Sequence, residues 1–585
     1  MFRVPQMSTF RQFMRDLWSL TKPYWTSEDR GRAFLLLAVI VGLNLGLVFI
    51  NVMLNKWNAA FYDALQNKDY DEFVHQLYIF CGYAAVFILI AVYQIYLNQM
   101  LQIRWRRWLT ENYLDAWLKN RTYYRMQLLD HGTDNPDQRL SDDVRDFVTL
   151  TLSLTLSLLR QVVTLFSFLT ILWHLSGDFS FTVGGVEIAV PGYMVWAALV
   201  YSVIGTWLTI KIGGPLARLN FNQQRFEADF RFGLVRFREN MEPIALYRGE
   251  GDERRGFLAR FGHVVDNWWD IMRRQKKLTF FTAGYGQIAT VFPIIVAAPR
   301  YFTGQIQLGQ LMQTASAFGQ VQEAMSWIIN AFTSLAEWKA VVDRLASFRK
   351  AIEAAQTAER EDRIAVTETA GDDLKVDGLT VRRPDGRILL NDGRFALNRG
   401  ESLLITGPSG SGKSTLFRAL AGIWPFGEGQ VSRPSAERTL FLPQKPYLPI
   451  ASLRDVLLYP EPPADPAQRS DAALSAALAA VGLEGLAHRL DDQQHWALQL
   501  SGGEQQRIAL ARVLIQRPDW LFMDESTSAI DEASETAIYQ TLRQQLPGTT
   551  IVSIGHRENL KPLHDRIMRL TPPDDGGEPA LVPVS

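Results

Sequence analysis

The stretch Gly407-Pro-Ser-Gly-Ser-Gly-Lys413-Ser414-Thr415 follows the apolar run 402–406 and precedes a helix-like run that begins at Thr415. A strand, a glycine-rich loop and a helix in this order are typical of a P-loop, whose backbone N–H groups wrap nucleotide phosphates. Lys413 is placed to reach the β- and γ-phosphates, and the Ser414 hydroxyl to bind Mg²⁺. The predicted ATP-binding residues of this loop are Gly407, Pro408, Ser409, Gly410, Ser411, Gly412, Lys413, Ser414 and Thr415.

Further motifs follow the loop in one order along the chain. The apolar run 520–523 predicts a buried strand that delivers Asp524 to the metal, and the next residue, Glu525, suits a general base acting on water. Because all these motifs occur together, we predict an ATP-hydrolysing domain. The residues predicted here to act in catalysis are Glu525 and Lys413, and the predicted Mg²⁺ ligands are Ser414 and Asp524.

The bulk composition excludes one class of partner. Across 585 residues the formal net charge is -1, whereas nucleic-acid binding needs a concentrated basic surface. We therefore predict no nucleic-acid partner. The chain is 47% hydrophobic, and its apolar residues are concentrated before residue 340.

Six segments before residue 340 are long and apolar enough to cross a bilayer, which takes about 20 residues. The alternative is a set of buried helices in a soluble enzyme, but 33–55 and 77–103 carry no charge at all, and a soluble helix keeps a charged face. The predicted spans are 33–55, 77–103, 147–175, 190–210, 278–299 and 301–335.

Lysine and arginine distribution predicts the orientation of these spans. The segments 104–146 and 211–277 are rich in both residues, and 176–189 has neither. Basic loops stay in the cytoplasm, so we expect both termini and the ATPase to be cytoplasmic. Two turns in the basic segments, 134–139 and 242–250, are expected to dock on the ATPase, although solvated loops are the alternative.

Composition shifts divide the chain into five parts. The N-terminal segment alternates Arg11, Arg15 and Lys22 with apolar residues, which predicts an amphipathic helix at the membrane surface. The predicted parts are an amphipathic segment (1–32), a six-helix transmembrane domain (33–340), a linker (341–372), an ATP-binding domain (373–575) and a tail (576–585).

The last predicted span has a polar side. Amides facing lipid are costly, so this side should line water or protein. We favour the wall of a water-filled cavity for polar cargo; a helix–helix contact is the alternative. Arg160, a lone charge in the third span, is either functional or positioned at the headgroups. The cavity candidates are Gln310, Gln313, Gln320, Glu323 and Arg160.

The motifs resemble those of ABC transporters. Leu500-Ser-Gly-Gly-Glu-Gln-Gln-Arg507 resembles the ABC signature, and Phe441-Leu-Pro-Gln-Lys-Pro-Tyr447 the Q-loop around Gln444. Ser528-Ala-Ile-Asp531 is similar to the D-loop, and His556 to the switch histidine. In that family the signature of one chain caps the ATP of another. The resemblance therefore implies a homodimer and adds Ser501, Gly502, Gly503 and Glu504 to the ATP site. It also implies that Gln444 and His556 are catalytic residues and that Gln444 is a further Mg²⁺ ligand.

Longer stretches narrow the resemblance. The stretches 54–66, 134–139 and 298–304 resemble the bacterial SbmA/BacA-like membrane domain, and 416–425 with Tyr459-Pro460 resembles the ATPases fused to it and peroxisomal acyl-CoA half-transporters. This implies a multidomain protein, with an all-α six-helix transmembrane domain of the exporter type followed by an α/β P-loop ATPase. It also implies an ATP-driven transporter of bulky hydrophilic solutes, such as peptides or cobalamin, in the bacterial inner membrane, working as an importer.

One position departs from the family and several functions compete. Arg383, before Pro384, stands where an aromatic residue usually stacks on adenine, although a guanidinium can also stack on a planar ring. The rival cargo is a fatty acyl-CoA or lipid, moved by an exporter or translocase. Other classes are a non-transporting ABC ATPase, which would lack spans, and a membrane-bound ATP sensor, which would need an output domain.

Overall fold

The computed structural model describes residues 10–129, 135–183, 186–359, 364–369, 371–571 and 578–584. They belong to two compact units. The membrane unit comprises Met1–Asp115 and Asn135–Arg349, and the ATPase unit comprises Ala116–Asp134 and Lys350–Ser585.

Helices make up most of the described chain before the strands of the ATPase. Their bounds are α1 (Phe10–Trp25), α2 (Arg30–Gln66), α3 (Tyr70–Leu118), α4 (Thr122–Leu129), α5 (Pro136–Gln138), α6 (Val144–Ser176), α7 (Tyr193–Glu239), α8 (Met241–Tyr247), α9 (Glu250–Phe302), α10 (Leu308–Met325) and α11 (Trp327–Glu359). At 53 residues, α9 is about 80 Å long, far more than the bilayer core of about 30 Å. The basic segments after residue 211 therefore continue the apolar helices, and α8 is the short turn between α7 and α9.

Five described stretches are long and apolar enough to cross a membrane: Arg30–Gln66, Tyr70–Leu129, Pro136–Ser176, Tyr193–Glu239 and Glu250–Phe302. The segment expected at 301–335 is not one helix. Gly304, with φ 76°, follows the end of α9, where its N–H donates to the carbonyl of Tyr301 and the N–H of Gln305 donates to the carbonyl of Arg300. A second interruption falls at Ser326. A glycine in the left-handed region is a common helix stop.

The membrane unit is not entirely helical. A hairpin of β1 (Asp178–Val183) and β2 (Val186–Pro191) joins α6 to α7, so the helix expected to begin at 190 begins at Tyr193. Arg300 of α9 donates to the carbonyls of Leu175 and Ser176 at the end of α6. A cation at a helix C-terminus satisfies carbonyls that lack helical partners.

Helix α1 has two apolar sides. Phe13, Leu20 and Tyr24 are buried, and the Tyr24 ring stacks on Trp105 with a centroid distance of 5.5 Å. Phe10, Met14 and Trp18 are exposed at a spacing of four residues. The buried side therefore anchors the helix to the protein, and the other side, which is also apolar, remains exposed.

The ATPase unit contains two sheets and a group of helices. Its strands are β3 (Ile364–Thr369), β4 (Asp373–Arg382), β5 (Ile388–Asn398), β6 (Ser402–Thr406), β7 (Gly427–Pro434), β8 (Thr439–Leu442), β9 (Ala451–Ser452), β10 (Gln493–Gln494), β11 (Trp520–Asp524), β12 (Thr550–Ile554), β13 (Arg566–Leu570) and β14 (Leu581–Pro583). Its helices after α11 are α12 (Lys413–Leu420), α13 (Leu453–Leu458), α14 (Asp471–Ala480), α15 (Trp496–Gln499), α16 (Gly502–Gln516) and α17 (Glu532–Gln545).

The larger sheet has the order β14-β13-β6-β12-β11-β8, with β13, β6, β12, β11 and β8 parallel. Parallel strands place their carboxyl ends on one edge, where ligands bind in open α/β sheets. The P-loop follows β6, Glu525 follows β11, His556 comes two residues after β12 and Gln444 two residues after β8. The second sheet, β3-β7-β4-β5, completes the core around Leu374, Val431 and Phe522.

The domain limits differ from the sequence prediction at both ends of the ATPase. Helix α11 continues to Glu359, and β3 occupies 364–369 within the expected linker. In the expected tail, β14 pairs antiparallel with β13. The tail thus covers what would otherwise be an unpaired edge strand.

Candidate functional site: an ATP-binding cleft

The P-loop adopts the conformation that its glycines allow. Gly410 has φ 79° and Gly412 φ 100°, values that side-chain-bearing residues rarely adopt. A Cβ on Gly412 would also lie 3.0 Å from the Cβ of Leu389. Lys413 begins α12, and its Nζ donates to the carbonyls of Gly407 and Pro408 at 2.9 Å each. The ammonium group is thus held over the loop at the N-terminus of a helix, where phosphates bind.

Ser414 and Asp524 form a pair that fits a Mg²⁺ ion. The Ser414 hydroxyl donates to Oδ1 of Asp524 at 3.1 Å. Burial raises the pKa of the Asp524 carboxyl, a shift that the Ser414 hydrogen bond partly opposes. Burial lowers the pKa of Lys413, opposed by the charges of Glu525 and Asp524. Oxygen ligands on a buried carboxylate suit Mg²⁺, which binds through one or two carboxylates and substrate phosphates.

Glu525 lies between Gln444 and His556. Gln444 Nε2 donates to Oε2 of Glu525 at 3.1 Å, and His556 Nδ1 lies 3.6 Å from its Oε1. The backbone N–H of Glu525 donates to the Ile554 carbonyl at 3.0 Å. The geometry holds the carboxylate at the edge of the sheet with a polar group on either side.

A cleft of about 550 Å³ brings most of the predicted ATP residues together. Predicted residues on its wall are Arg383, Ser409, Gly410, Gly412, Lys413, Ser414, Thr415, Gln444 and Glu525. Arg387, Leu389, Arg418 and Trp424 also line it, and sequence reasoning did not select them. Arg418 and Trp424 lie within 416–425. The resemblance of that stretch to known ATPases is a signal that could have identified both residues.

Arg383 is held in a tight turn at the cleft. Its N–H donates to the carbonyl of Arg387 at 2.8 Å, and its Nε lies 3.7 Å from Oδ2 of Asp385. Trp424 Nε1 donates to the carbonyl of Arg382 at 2.8 Å, which ties this turn to the segment after α12. The guanidinium is half exposed and is available to stack on a planar ring.

Ser501, Gly502 and Gly503 lie at the start of α16. The Ser501 hydroxyl and the Glu504 carboxylate cap each other's backbone N–H groups, at 3.4 and 2.8 Å. Hydrogen bonds from Ser501 lower the pKa of Glu504. These four residues are not among the described residues that line the cleft of their own chain. Their arrangement forms a helix N-terminus that suits an anion.

Helix α4 contacts the ATPase core. Arg121, just before α4, donates to the carbonyl of Ala421 at 3.3 Å, and Leu128 packs on the core that contains Phe417. The sequence did not predict this contact, and the docking of the turn at 134–139 on the ATPase stays a prediction. Asp134 lies outside the described residues, and Arg139 is buried in an ion pair with Asp143.

The cavity candidates in the membrane unit separate into two groups. Gln313 is buried and exchanges hydrogen bonds with Asn55 of α2: Asn55 Nδ2 donates to the Gln313 carbonyl at 3.1 Å, and Gln313 Nε2 to Asn55 Oδ1 at 3.2 Å. For Gln313 the cavity assignment is wrong, because its side-chain amide donates to Asn55 in a contact between α10 and α2. Gln310, Glu323 and Arg160 are exposed, and Gln320 is half-buried.

Comparisons with known proteins agree with this architecture. Residues 20–302 match the family model described as ABC transporter transmembrane region 2, and 390–528 match the ABC transporter model. The chain is 35% identical to the Escherichia coli inner membrane ABC transporter ATP-binding protein YddA, over 96% of this chain and 98% of that protein. The chain belongs to the ABC transporters.

Other relatives place this transporter in the D family. It is 34% identical to the Arabidopsis thaliana ABC transporter D family member 2, chloroplastic, over 98% of this chain and 88% of that protein. It is 28% identical to the mouse lysosomal cobalamin transporter ABCD4, over 94% and 92%. A bacterial Atm1-family ABC exporter with ATP bound shares the fold, with a TM-score of 0.68, 18% identity and coverage of 94% and 95%.

The transporter is therefore an ABC half-transporter, which binds ATP with Mg²⁺ and couples ATP hydrolysis to transport. It spans a membrane, and the half-transporter architecture implies a dimer.

Proposed function

We propose that the transporter is a homodimeric importer of bulky hydrophilic solutes, such as peptides and cobalamin-like compounds, in the bacterial inner membrane. The observation that carries this proposal is the polar surface of the last membrane helices. Ser316, Gly319, Glu323, Ser326 and Asn330 follow at spacings of three or four and are exposed or half-buried in the single chain. A polar helical face in a membrane borders water or a protein partner.

Two further facts support a hydrophilic cargo. Arg160 on α6 is exposed within the apolar stretch Pro136–Ser176, where an unshielded charge is expensive and favours a water-filled space. A relative of similar length carries cobalamin transport in its name. We propose that Arg160, Gln310, Gln320 and Glu323 line the pathway.

The site roles are also proposed. Glu525 acts as the general base on the attacking water, polarised by His556 and oriented with Gln444. Lys413 and the P-loop hold the phosphates, and Ser414, Asp524 and Gln444 hold Mg²⁺. Mg²⁺, when bound, neutralises charge that develops on the phosphates. Ser501, Gly502, Gly503 and Glu504 of the partner chain close over the same nucleotide.

The membrane topology is part of the same proposal. We infer six spans, the sixth formed by α10 and the start of α11, with both termini and the ATPase in the cytoplasm. The polar residues of α10 lower its mean hydropathy, so it does not qualify as a span by composition alone. Helix α8, whose Leu246 and Tyr247 are strongly exposed, docks on the partner's ATPase.

Transport in proteoliposomes tests the cargo and the direction. Labelled cobalamin and a proline-rich peptide are supplied on the side opposite the ATPase, with Glu525→Gln as the matched control that cannot hydrolyse. Accumulation that requires ATP and Glu525 is the expected result. Movement from the ATPase side, or ATPase stimulation by acyl-CoA alone, would instead indicate the exporter or translocase.

A further inference from the structure

Arg557, the residue after His556, holds the backbone of the D-loop (528–531). Its Nη2 donates to the carbonyl of Ser528 at 2.8 Å, and its Nη1 donates to the carbonyl of Ile530 at 2.7 Å. Hydrogen bonds from a charged donor are stronger than those between neutral groups. The segment that carries His556 is therefore attached to the D-loop at two points.

A buried carboxylate keeps the guanidinium in place. Glu535 of α17 is almost fully buried, and its Oε2 accepts from Arg557 Nη1 at 3.2 Å and from Asn559 Nδ2 at 2.8 Å. Its Oε1 accepts from the Thr527 hydroxyl at 2.5 Å. A buried charge is tolerated when it is paired and hydrogen-bonded, so this network leaves Arg557 little freedom to leave the D-loop.

The D-loop is held from the other side by Gln506 of α16. Gln506 Oε1 accepts from the N–H of Ala529 at 2.8 Å, and its Nε2 donates to the carbonyl of Gln444 at 3.1 Å. Glu525 itself accepts from the N–H of Ser528 at 3.0 Å through its carbonyl. The chain segments that carry Gln444, Glu525 and His556 thus converge on one turn of four residues.

We propose that Arg557 is a positioning residue that makes the His556 segment and the D-loop move as one body during ATP hydrolysis. Arg557 is not among the described residues lining the cleft, so it acts through the groups that it holds. The proposal rests on the proposed roles of Glu525 and His556. A misplacement of about 1 Å in a catalytic group costs about 100-fold in rate, whereas nucleotide affinity depends on the P-loop.

The test must separate positioning from folding. Arg557→Gln alone leaves Glu535 buried and unpaired, which destabilises a protein. The double variant Arg557→Gln/Glu535→Gln replaces the ion pair with two neutral amides and still removes the guanidinium. Glu535→Gln alone is the matched control, because the glutamine amide oxygen can still accept from Arg557 Nη1 and Arg557 keeps both D-loop carbonyls. Arg557→Lys, which retains one charged donor group, is the conservative variant.

We expect the double variant to melt within a few degrees of the parent transporter while kcat for ATP falls about 10- to 100-fold and KM changes less than twofold. Glu535→Gln should keep at least half of the parent kcat, and Arg557→Lys should be intermediate.

A double variant with the parent kcat overturns the proposal. So does a KM that rises as much as kcat falls, or a Glu535→Gln variant as slow as the double one. If the double variant melts early, the kcat of Arg557→Lys decides: an intermediate kcat supports the proposal, and the parent kcat overturns it. Full turnover by Glu525→Gln would instead refute the catalytic assignment and leave the Arg557 comparison intact.

Discussion

At the scale of single residues, Glu525 occupies a strained position. Its φ is 45°, in the region that non-glycine residues rarely adopt. The strain is maintained by the hydrogen bond of its N–H to Ile554 and by the D-loop that follows. Strain of this kind is concentrated at functional sites, where the surrounding structure holds a side chain in place.

Replacing Glu525 by glutamine removes the proposed base but keeps the size of the side chain. We expect kcat for ATP hydrolysis to fall about 10²- to 10⁴-fold, the usual contribution of a general base, with ATP binding retained. Phosphate release and binding of a fluorescent ATP analogue measure the two effects. Glu532→Gln, an exposed neighbour, serves as the control. Parent-like hydrolysis by the Glu525 variant would show that another group activates the water.

We propose that Arg383 stacks on the nucleobase. An exposed cation–π contact contributes about 0.5–1 kcal/mol, and an aromatic ring stacked on a base contributes about 1–3 kcal/mol. We therefore expect Arg383→Ala to weaken ATP binding about two- to fivefold, and Arg383→Tyr to tighten it, with little change in kcat. Nucleotide titrations measure this, with the exposed Arg394→Ala as the control. Equal affinity in all three variants would place the base elsewhere.

At the scale of elements, the start of α10 is built onto α2. Gly309 N donates to Asp63 Oδ1 and Leu308 N to Gln66 Oε1, both at 2.7 Å. A Cβ on Gly309 would lie 2.0 Å from the carbonyl oxygen of Ala59. The stretch 54–66 thus supplies the caps and the space that α10 needs.

Gly309→Ala tests this close approach. The added methyl group must push α10 away from α2, and overpacking of this kind costs about 1–3 kcal/mol. We expect a lower melting temperature of the detergent-solubilised transporter. Gly319→Ala in the same helix meets nothing within 4 Å and should melt like the parent protein. Similar melting of the two variants would mean that α2 and α10 separate freely.

At the scale of the whole molecule, the two chains should complete each other's ATP sites. We expect Ser409→Cys in one chain and Ser501→Cys in the other to form a disulfide-linked dimer when ATP is present, because both side chains are exposed at the P-loop and the signature. Gel mobility of an oxidised, mixed preparation measures it, in a Cys81→Ala background.

Preparations that carry only one of the two new cysteines are the controls, and they should remain monomeric on the gel. Glu525→Gln should increase the linked fraction by blocking hydrolysis. A linked fraction that does not depend on ATP would contradict closure around nucleotide.

Much of the ATP site was readable from the sequence. The motifs around Lys413, Gln444, Asp524 and His556 lie just after strands, and parallel strands bring such residues to one edge of a sheet whatever the rest of the fold does. The long apolar runs determined a membrane protein, since a helix of that composition has no soluble face. These conclusions depend on the spacing of residues that are close together in the sequence.

Only the tertiary structure decided which polar groups have partners. The sequence predicted Gln313 as a cavity residue, but its side-chain amide donates to Asn55, 258 positions away. The sequence likewise did not predict the contact of Arg121 with Ala421 or the hydrogen bonds from Arg557 to the D-loop. Each of these outcomes depends on hydrogen bonds between residues far apart in the chain, and a linear pattern does not encode such pairings.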